Sequence, residues 1–265
     1  MRKKAVIAMM LPSVIGFGVF YFVPLLMTFF YAVVRNPFDL SFVGLENIRT
    51  TIQNEYFRMA VTQTFRFVGK SILLTLPAAL VYVYLAMQRP GFPVSHLILP
   101  NVLPTVSVAL IWNVLFGRDS FLSAIGVSST SALQALFLWK NVGIHIILLL
   151  SALSQMPKNI LEAADIDGAG ETRKFIYIVI PHLLPTMFFC MIYIIMCAFR
   201  IFKDSYILYG AYPDEKLFMV QHYIFNQFNK LRYANVASAG LIFAVPVILL
   251  VMLLYIPQVR GEEWK

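Results

Sequence analysis

Thirty uncharged residues, Ala5 to Val34, follow the basic cluster Arg2-Lys3-Lys4. A helix crosses a hydrocarbon core with about 20 apolar residues, so this stretch is long enough to span. A secretory signal has an apolar core of only about 7–15 residues and a small-residue cleavage site. The stretch is longer and has no clear Ala-x-Ala site, which makes it a retained first span. Pro12 and Pro24 are expected to kink it or mark its ends.

The same spacing of charges recurs along the chain. Charge gaps predict six spans, at about 5–34, 67–88, 93–116, 132–153, 183–202 and 234–256. Between them lie a polar connection at 35–60, a tight turn at Arg89-Pro90-Gly91, a Ser/Gly-rich loop at 117–131, a long polar segment at 154–182 and a polar loop at 203–233. Composition agrees. Only 13% of the 265 residues are charged and 60% are hydrophobic, whereas a soluble domain carries about 25% charge. The expected fold is an all-α membrane protein of six transmembrane helices, forming one domain over 1–265. An even number of spans puts both termini on one side.

The formal charge of +8 is read as basic residues flanking spans near anionic headgroups; no Lys/Arg-rich run with interleaved aromatics points to nucleic acid. With both termini cytoplasmic, the inner segments hold nine Lys/Arg and twelve fall outside or near the outer ends. The basic-residue count therefore gives that orientation no support. Cys190 and Cys197 lie seven apart in one apolar segment, too far apart to bridge, and read as packing residues.

The thirteen acids are Asp39, Glu46, Glu55, Asp119, Glu162, Asp165, Asp167, Glu171, Asp204, Asp214, Glu215, Glu262 and Glu263. None falls inside a predicted span, so no intramembrane proton relay is expected. The chain has no G-x-x-x-x-G-K-[ST] phosphate loop, no H-E-x-x-H and no G-x-S-x-G. That removes the usual routes to an ATPase or an intramembrane hydrolase carried by this chain. His145, deep in the fourth span, lacks a second ligand and reads as a hydrogen-bonding packing residue. Asp165-Ile166-Asp167-Gly168 has part of a calcium-loop pattern but lacks both end ligands.

The informative segment is Pro157 to Pro185, PKNILEAADIDGAGETRKFIYIVIPHLLP. Pro157 suits a first helical turn. Ile160, Leu161 and Ala164 share a face by their spacing. Ala163, Ala164, Gly168, Ala169 and Gly170 are small, so a partner can approach the backbone closely. Gly168 and Gly170 end the helix, and a second short helix, about 171–180, leads to Pro181. A helix lying on anionic lipid carries Lys/Arg on its polar face. Here four acids, Glu162, Asp165, Asp167 and Glu171, outnumber three bases, which favours a knob docking into a partner's groove.

At these residues the sequence resembles the ATP-binding-cassette importer permeases. Glu162-Ala163-Ala164 followed by Gly168 is similar to their EAA loop, and Asp167-Gly168-Ala169, Phe175, Ile178 to Pro181 and Pro185 resemble the carbohydrate branch. Phe42 to Asn47, Trp112 and Trp139 to Gly143 also resemble the maltose and glycerol-phosphate permeases, so the likeness covers nearly the whole chain. Ile180 stands where Leu is usual, and Gln63 where Asn is common.

The resemblance implies a type I importer permease fold with a methionine-permease-like core and a cytoplasmic coupling helix between spans 4 and 5. The ATPase-coupling residues would be Glu162, Ala163, Ala164, Asp167, Gly168, Ala169 and Pro181. The chain itself would hold no cofactor or metal, and ATP with magnesium would sit on partner ATPases. The implied partners are a second related permease, two cytoplasmic ATPase subunits, an extracellular solute-binding protein and a carbohydrate. The implied location is a bacterial plasma membrane with both termini cytoplasmic. Residues that suit a wet sugar path, by type and by position in the outer halves of the spans, are Trp112, Asn113, Asn141, Tyr193 and Arg200. Arg200 has a second reading, snorkelling to the interface. The alternative is a facilitator or secondary transporter working alone. It wants intramembrane charge or broken half-helices, and the sequence displays neither.

Overall fold

The computed structural model describes residues 2–89, 93–117, 124 and 126–262. The predicted turn at Pro90-Gly91, residues 118–123 and 125 of the 117–131 loop (Asp119 among them) and Glu263 lie outside the described residues. Among the described residues, five helical stretches are long and apolar enough to cross a membrane: Met9–Val33, Glu55–Gln88, Ser129–Ser154, Glu171–Tyr209 and Tyr233–Tyr255. A sixth is a bent pair, His96–Val102 and Thr105–Phe116. The chain divides into two compact units, Met1–Val61 with Met219–Ile248, and Thr62–Phe218 with Leu249–Lys265.

In the first unit, α1 (Arg2–Phe17) runs through a π turn, Gly18–Phe22, into α2 (Val23–Val33). The predicted kink has a specific cause. Pro24 has no N–H to offer Phe20, so the ladder widens and Val23 donates to Gly18 instead. The connection predicted at 35–60 is ordered. Asn47 Nδ2 donates to the carbonyls of Ala32 (3.1 Å) and Val34 (2.8 Å), tying α3 (Glu46–Gln53) to the end of α2. Asn54 Oδ1 accepts the Phe57 N–H at 3.1 Å, opening α4 (Glu55–Gln88) twelve residues before the predicted start of the second span. Charge gaps locate the apolar part of a helix and not its cap.

Later in the chain this unit also contains α12 (Val220–Asn229) and the start of α13 (Tyr233–Glu262). His222 Nδ1 accepts the Met219 N–H at 3.2 Å, closing the first turn of α12. Burial pushes its pKa down to about 4. The Phe57 and Tyr223 rings meet edge-on at 5.2 Å.

The second unit holds the rest of α4, then α5 (Leu99–Val102), α6 (Thr105–Phe116) and α7 (Ser129–Ser154). These are followed by α8 (Lys158–Ile166), α9 (Glu171–Lys174), α10 (Ile180–Phe199) and α11 (Phe202–Tyr209). The third span, expected as one helix at 93–116, is broken. A short 3-10 turn, Ser95–Ile98, leads into α5, and the two halves meet at 103°. Leu103 precedes Pro104 and is held extended at φ −67, ψ 139. The proline ring disfavours the helical conformation at the residue before it.

The packed centre of this unit is made by α7 and α10. Leu133, Leu136, Phe137, Leu149, Leu183 and Ile194 are fully buried. Gly143 of α7 lies against Leu97, where a Cβ would collide with the backbone carbonyl. Both cysteines are free, with Cys190 buried, as the spacing required.

Candidate functional site

The segment between α7 and α10 carries the predicted coupling residues. Pro157 stands just before α8, extended at φ −60, ψ 126, and its carbonyl accepts the Ile160 N–H. At the other end Gly168 takes φ +74. There the Gly168 N–H donates to Asp165 O (3.0 Å) and the Ala169 N–H to Ala164 O (2.9 Å). This is a Schellman ending, and the left-handed position explains why glycine stands at 168. Of the predicted face, Ile160 is exposed and Leu161 half-buried. Ala164 turns inward and is buried, while Glu162 and Ala163 are exposed. With Asn159 and Ile166, also exposed, they form one stripe at i, i+3, i+4 and i+7. Ile166 is 88% exposed and was not singled out from the sequence.

The structure adds residues that the motif did not mark. Lys174 Nζ lies 2.6 Å from Asp165 Oδ1 and 2.5 Å from Glu171 Oε1. The Tyr84 and Thr172 hydroxyls are 2.9 Å apart, and the Tyr84 ring is 5.1 Å from that of Phe175. Ile180 donates to Phe175 across a second π turn, Phe175–Val179, because Pro181 cannot continue the ladder. Pro181 itself is exposed at the mouth of α10.

Of the five path candidates, Asn113 lines one of the described cavities, and Asn141 and Tyr193 meet at His145. Trp112 donates its indole N–H to Ala132 O at 3.0 Å and stacks between Phe116 (4.8 Å) and Trp139 (5.7 Å). Asn113 lines a cavity of about 390 Å³ with Phe116, Ser129, Tyr209, Tyr212 and Asp214. Asn141 is buried, and its Nδ2 donates to Phe137 O at 2.8 Å. Tyr193 packs on His145, whose Nδ1 is 2.7 Å from Asn141 O. Arg200 is exposed, just past the end of α10. A second cavity, of about 440 Å³, is lined by Gln63, Arg66, Lys70, Gln134, Glu215 and Lys216.

Two sequence expectations are corrected here. Asp204, assigned to an outer loop, lies in α11 within the long apolar stretch Glu171–Tyr209. It is buried, 2.7 Å from Lys140 Nζ. The spans therefore do contain charge, held as a pair. The broken third span is likewise a feature that the sequence reading did not find.

The sequence model of the family described as "binding-protein-dependent transport system inner membrane component" matches residues 5–259. The arabinooligosaccharides transport system permease protein AraP of Bacillus subtilis is 28% identical, over 98% of this chain and 91% of the relative. The sn-glycerol-3-phosphate transport system permease protein UgpA of Yersinia pseudotuberculosis is 31% identical, over 72% of each. A solved chain of a bacterial ABC transporter involved in import of the acidic polysaccharide alginate superposes with a TM-score of 0.84 at 21% identity. It covers 98% of this chain and 96% of its own.

Proposed function

The chain belongs to the family of binding-protein-dependent transport system inner membrane components, and from this we infer its function. It is the permease subunit of an ATP-driven, binding-protein-dependent importer of sugars or oligosaccharides, and it supplies half of the translocation path. Support comes from relatives that are permeases of arabino-oligosaccharide and glycerol-phosphate systems. A similar fold is known from an alginate transporter complexed with its substrate-bound periplasmic protein.

The observation that carries the coupling role is the exposed stripe Asn159, Glu162, Ala163 and Ile166 on a short helix held between two spans. This stripe docks in a groove of a cytoplasmic ATPase subunit. Glu162 faces a basic group there, Ala163 permits close approach, and Asp167, Gly168 and Ala169 shape the turn. Ala164 seats the helix on its own unit, and Pro181 marks where the movement enters α10. ATP and magnesium are bound and turned over on the partner subunits, two of them. A second permease completes the path, and a binding protein delivers the carbohydrate on the opposite side. Both termini lie on the ATPase side, and residues 1–265 act as one permease domain. Rocking of the two permeases gives alternating access.

The broken third span and the Lys140–Asp204 pair are features that secondary transporters use. Family membership weighs against that alternative. Copurification with the co-encoded subunits decides between them. An ATPase subunit that purifies with the chain, and loss of uptake in Glu162→Arg with Gly168→Trp, are the expected results. Uptake that needs neither ATP nor partners sinks the importer reading.

A further inference from the structure

The joint between α8 and α9 consists of Asp167, Gly168, Ala169 and Gly170. Two of the four residues are glycine, so the joint is intrinsically soft. The Schellman ending satisfies the carbonyls of α8 but does not fix the direction in which α9 leaves. One side chain bridges the joint. Lys174, at the end of α9, reaches back to Asp165 on α8 at 2.6 Å and also holds Glu171 on its own helix at 2.5 Å. The lysine is buried, with 7% of its side chain exposed, whereas Asp165 is 58% exposed. Glu171 can keep Lys174 charged, but only Asp165 links the two helices. On its far side α9 is fastened to α4 through the Thr172–Tyr84 and Phe175–Tyr84 contacts.

We propose that Lys174 is a positioning residue for energy coupling. Its bond to Asp165 braces the Gly168–Gly170 joint, so that displacement of α8 by a partner moves α9, α10 and the end of α4 and is not absorbed by the joint. This rests on the importer reading, and the two fail differently. If the assembled wild-type transporter does not import in an ATP-dependent way, the importer reading falls. If wild type imports and the variants below leave coupling intact, only the brace falls.

The test is ATP hydrolysed per solute imported, measured in proteoliposomes holding the complete transporter and its binding protein. Lys174→Met should keep ATPase activity while raising ATP per solute about five-fold. Lys174→Arg should restore the wild-type ratio, as should the charge swap Asp165→Lys with Lys174→Asp. Gly170 lies at φ −66 with open space where a Cβ would stand. Gly170→Ala therefore stiffens the joint without a clash and should recover part of the coupling lost in Lys174→Met. Should Lys174→Met not assemble, Asp165→Ala decides, because its site is exposed; a ratio raised about two-fold supports the brace. An unchanged ratio in whichever of these two assembles, or a charge swap as uncoupled as Lys174→Met, overturns it.

Discussion

Two lysine–aspartate pairs of nearly equal length sit in different surroundings. Lys140–Asp204 is 2.7 Å long with side chains 14% and 8% exposed, and Lys174–Asp165 is 2.6 Å long with side chains 7% and 58% exposed. In the first, both charges have left water. Each has become the other's solvation, and 64 residues of chain separate them. In the second, the carboxylate stays wet and loses little if the bond breaks. Distance alone therefore says nothing about what a pair does. The dry pair is a condition of stability. The half-wet pair contributes mainly direction, and that is what a lever needs.

The largest effect should come from breaking the dry pair. Asp204→Ala strands the largely buried Lys140 without its partner and should cost about 3–5 kcal/mol, read as a lowered unfolding midpoint of the purified complex. Lys140→Met with Asp204→Leu removes both charges and should recover most of that loss. Equal losses in the single and double variants would mean that stranded charge is not the cause.

Next in size is a neutral change on the same helix. Gly143→Ala drives a Cβ into the Leu97 carbonyl and should cost about 1–3 kcal/mol. It asks how much of the demand on α7 is packing and how much is charge. A midpoint unchanged by Gly143→Ala would show that the contact between α7 and the Ser95–Ile98 turn yields freely.

A smaller effect belongs to a buried titratable group of a different kind. His222 accepts the Met219 N–H through Nδ1, which requires that nitrogen to be unprotonated. Its pKa is lowered to about 4, below the unfolded value of about 6.5. Above about pH 6.5 neither state binds the proton and the full stability is present. As pH falls through that value towards 4, the unfolded chain takes up a proton that the folded chain refuses, and stability declines. His222→Gln should flatten that part of the stability–pH curve. A curve equally steep in the variant would place the titration elsewhere.

The smallest effect should come from the wet side of the second pair. Asp165→Ala should leave the unfolding midpoint within about 2 °C of wild type, even where it alters coupling. A large drop would make the two pairs alike and remove the contrast between them.

Much of this was legible in the residues. The charge gaps foretold five of the six spans to within a few residues at most ends, since an apolar helix needs no partner to be recognised. Gly168, after the small residues that follow Glu162, announced the end of a compact helix. Even the break in the third span had its signal, because Leu103 precedes Pro104. The lengthened α4 escaped because its first turns are polar and its cap, Asn54, is one short side chain in a polar stretch.

What the sequence by itself determined is local: which stretches are apolar, and where prolines and glycines interrupt them. Those properties follow from single side chains and helical periodicity. Only the tertiary structure decided that Lys140 meets Asp204, that Lys174 folds back to Asp165, and that Asn141 and Tyr193 both meet His145. Such pairings depend on how helices pack. A charge reads the same in sequence whether it ends in water, against a partner or in the dry centre of the protein.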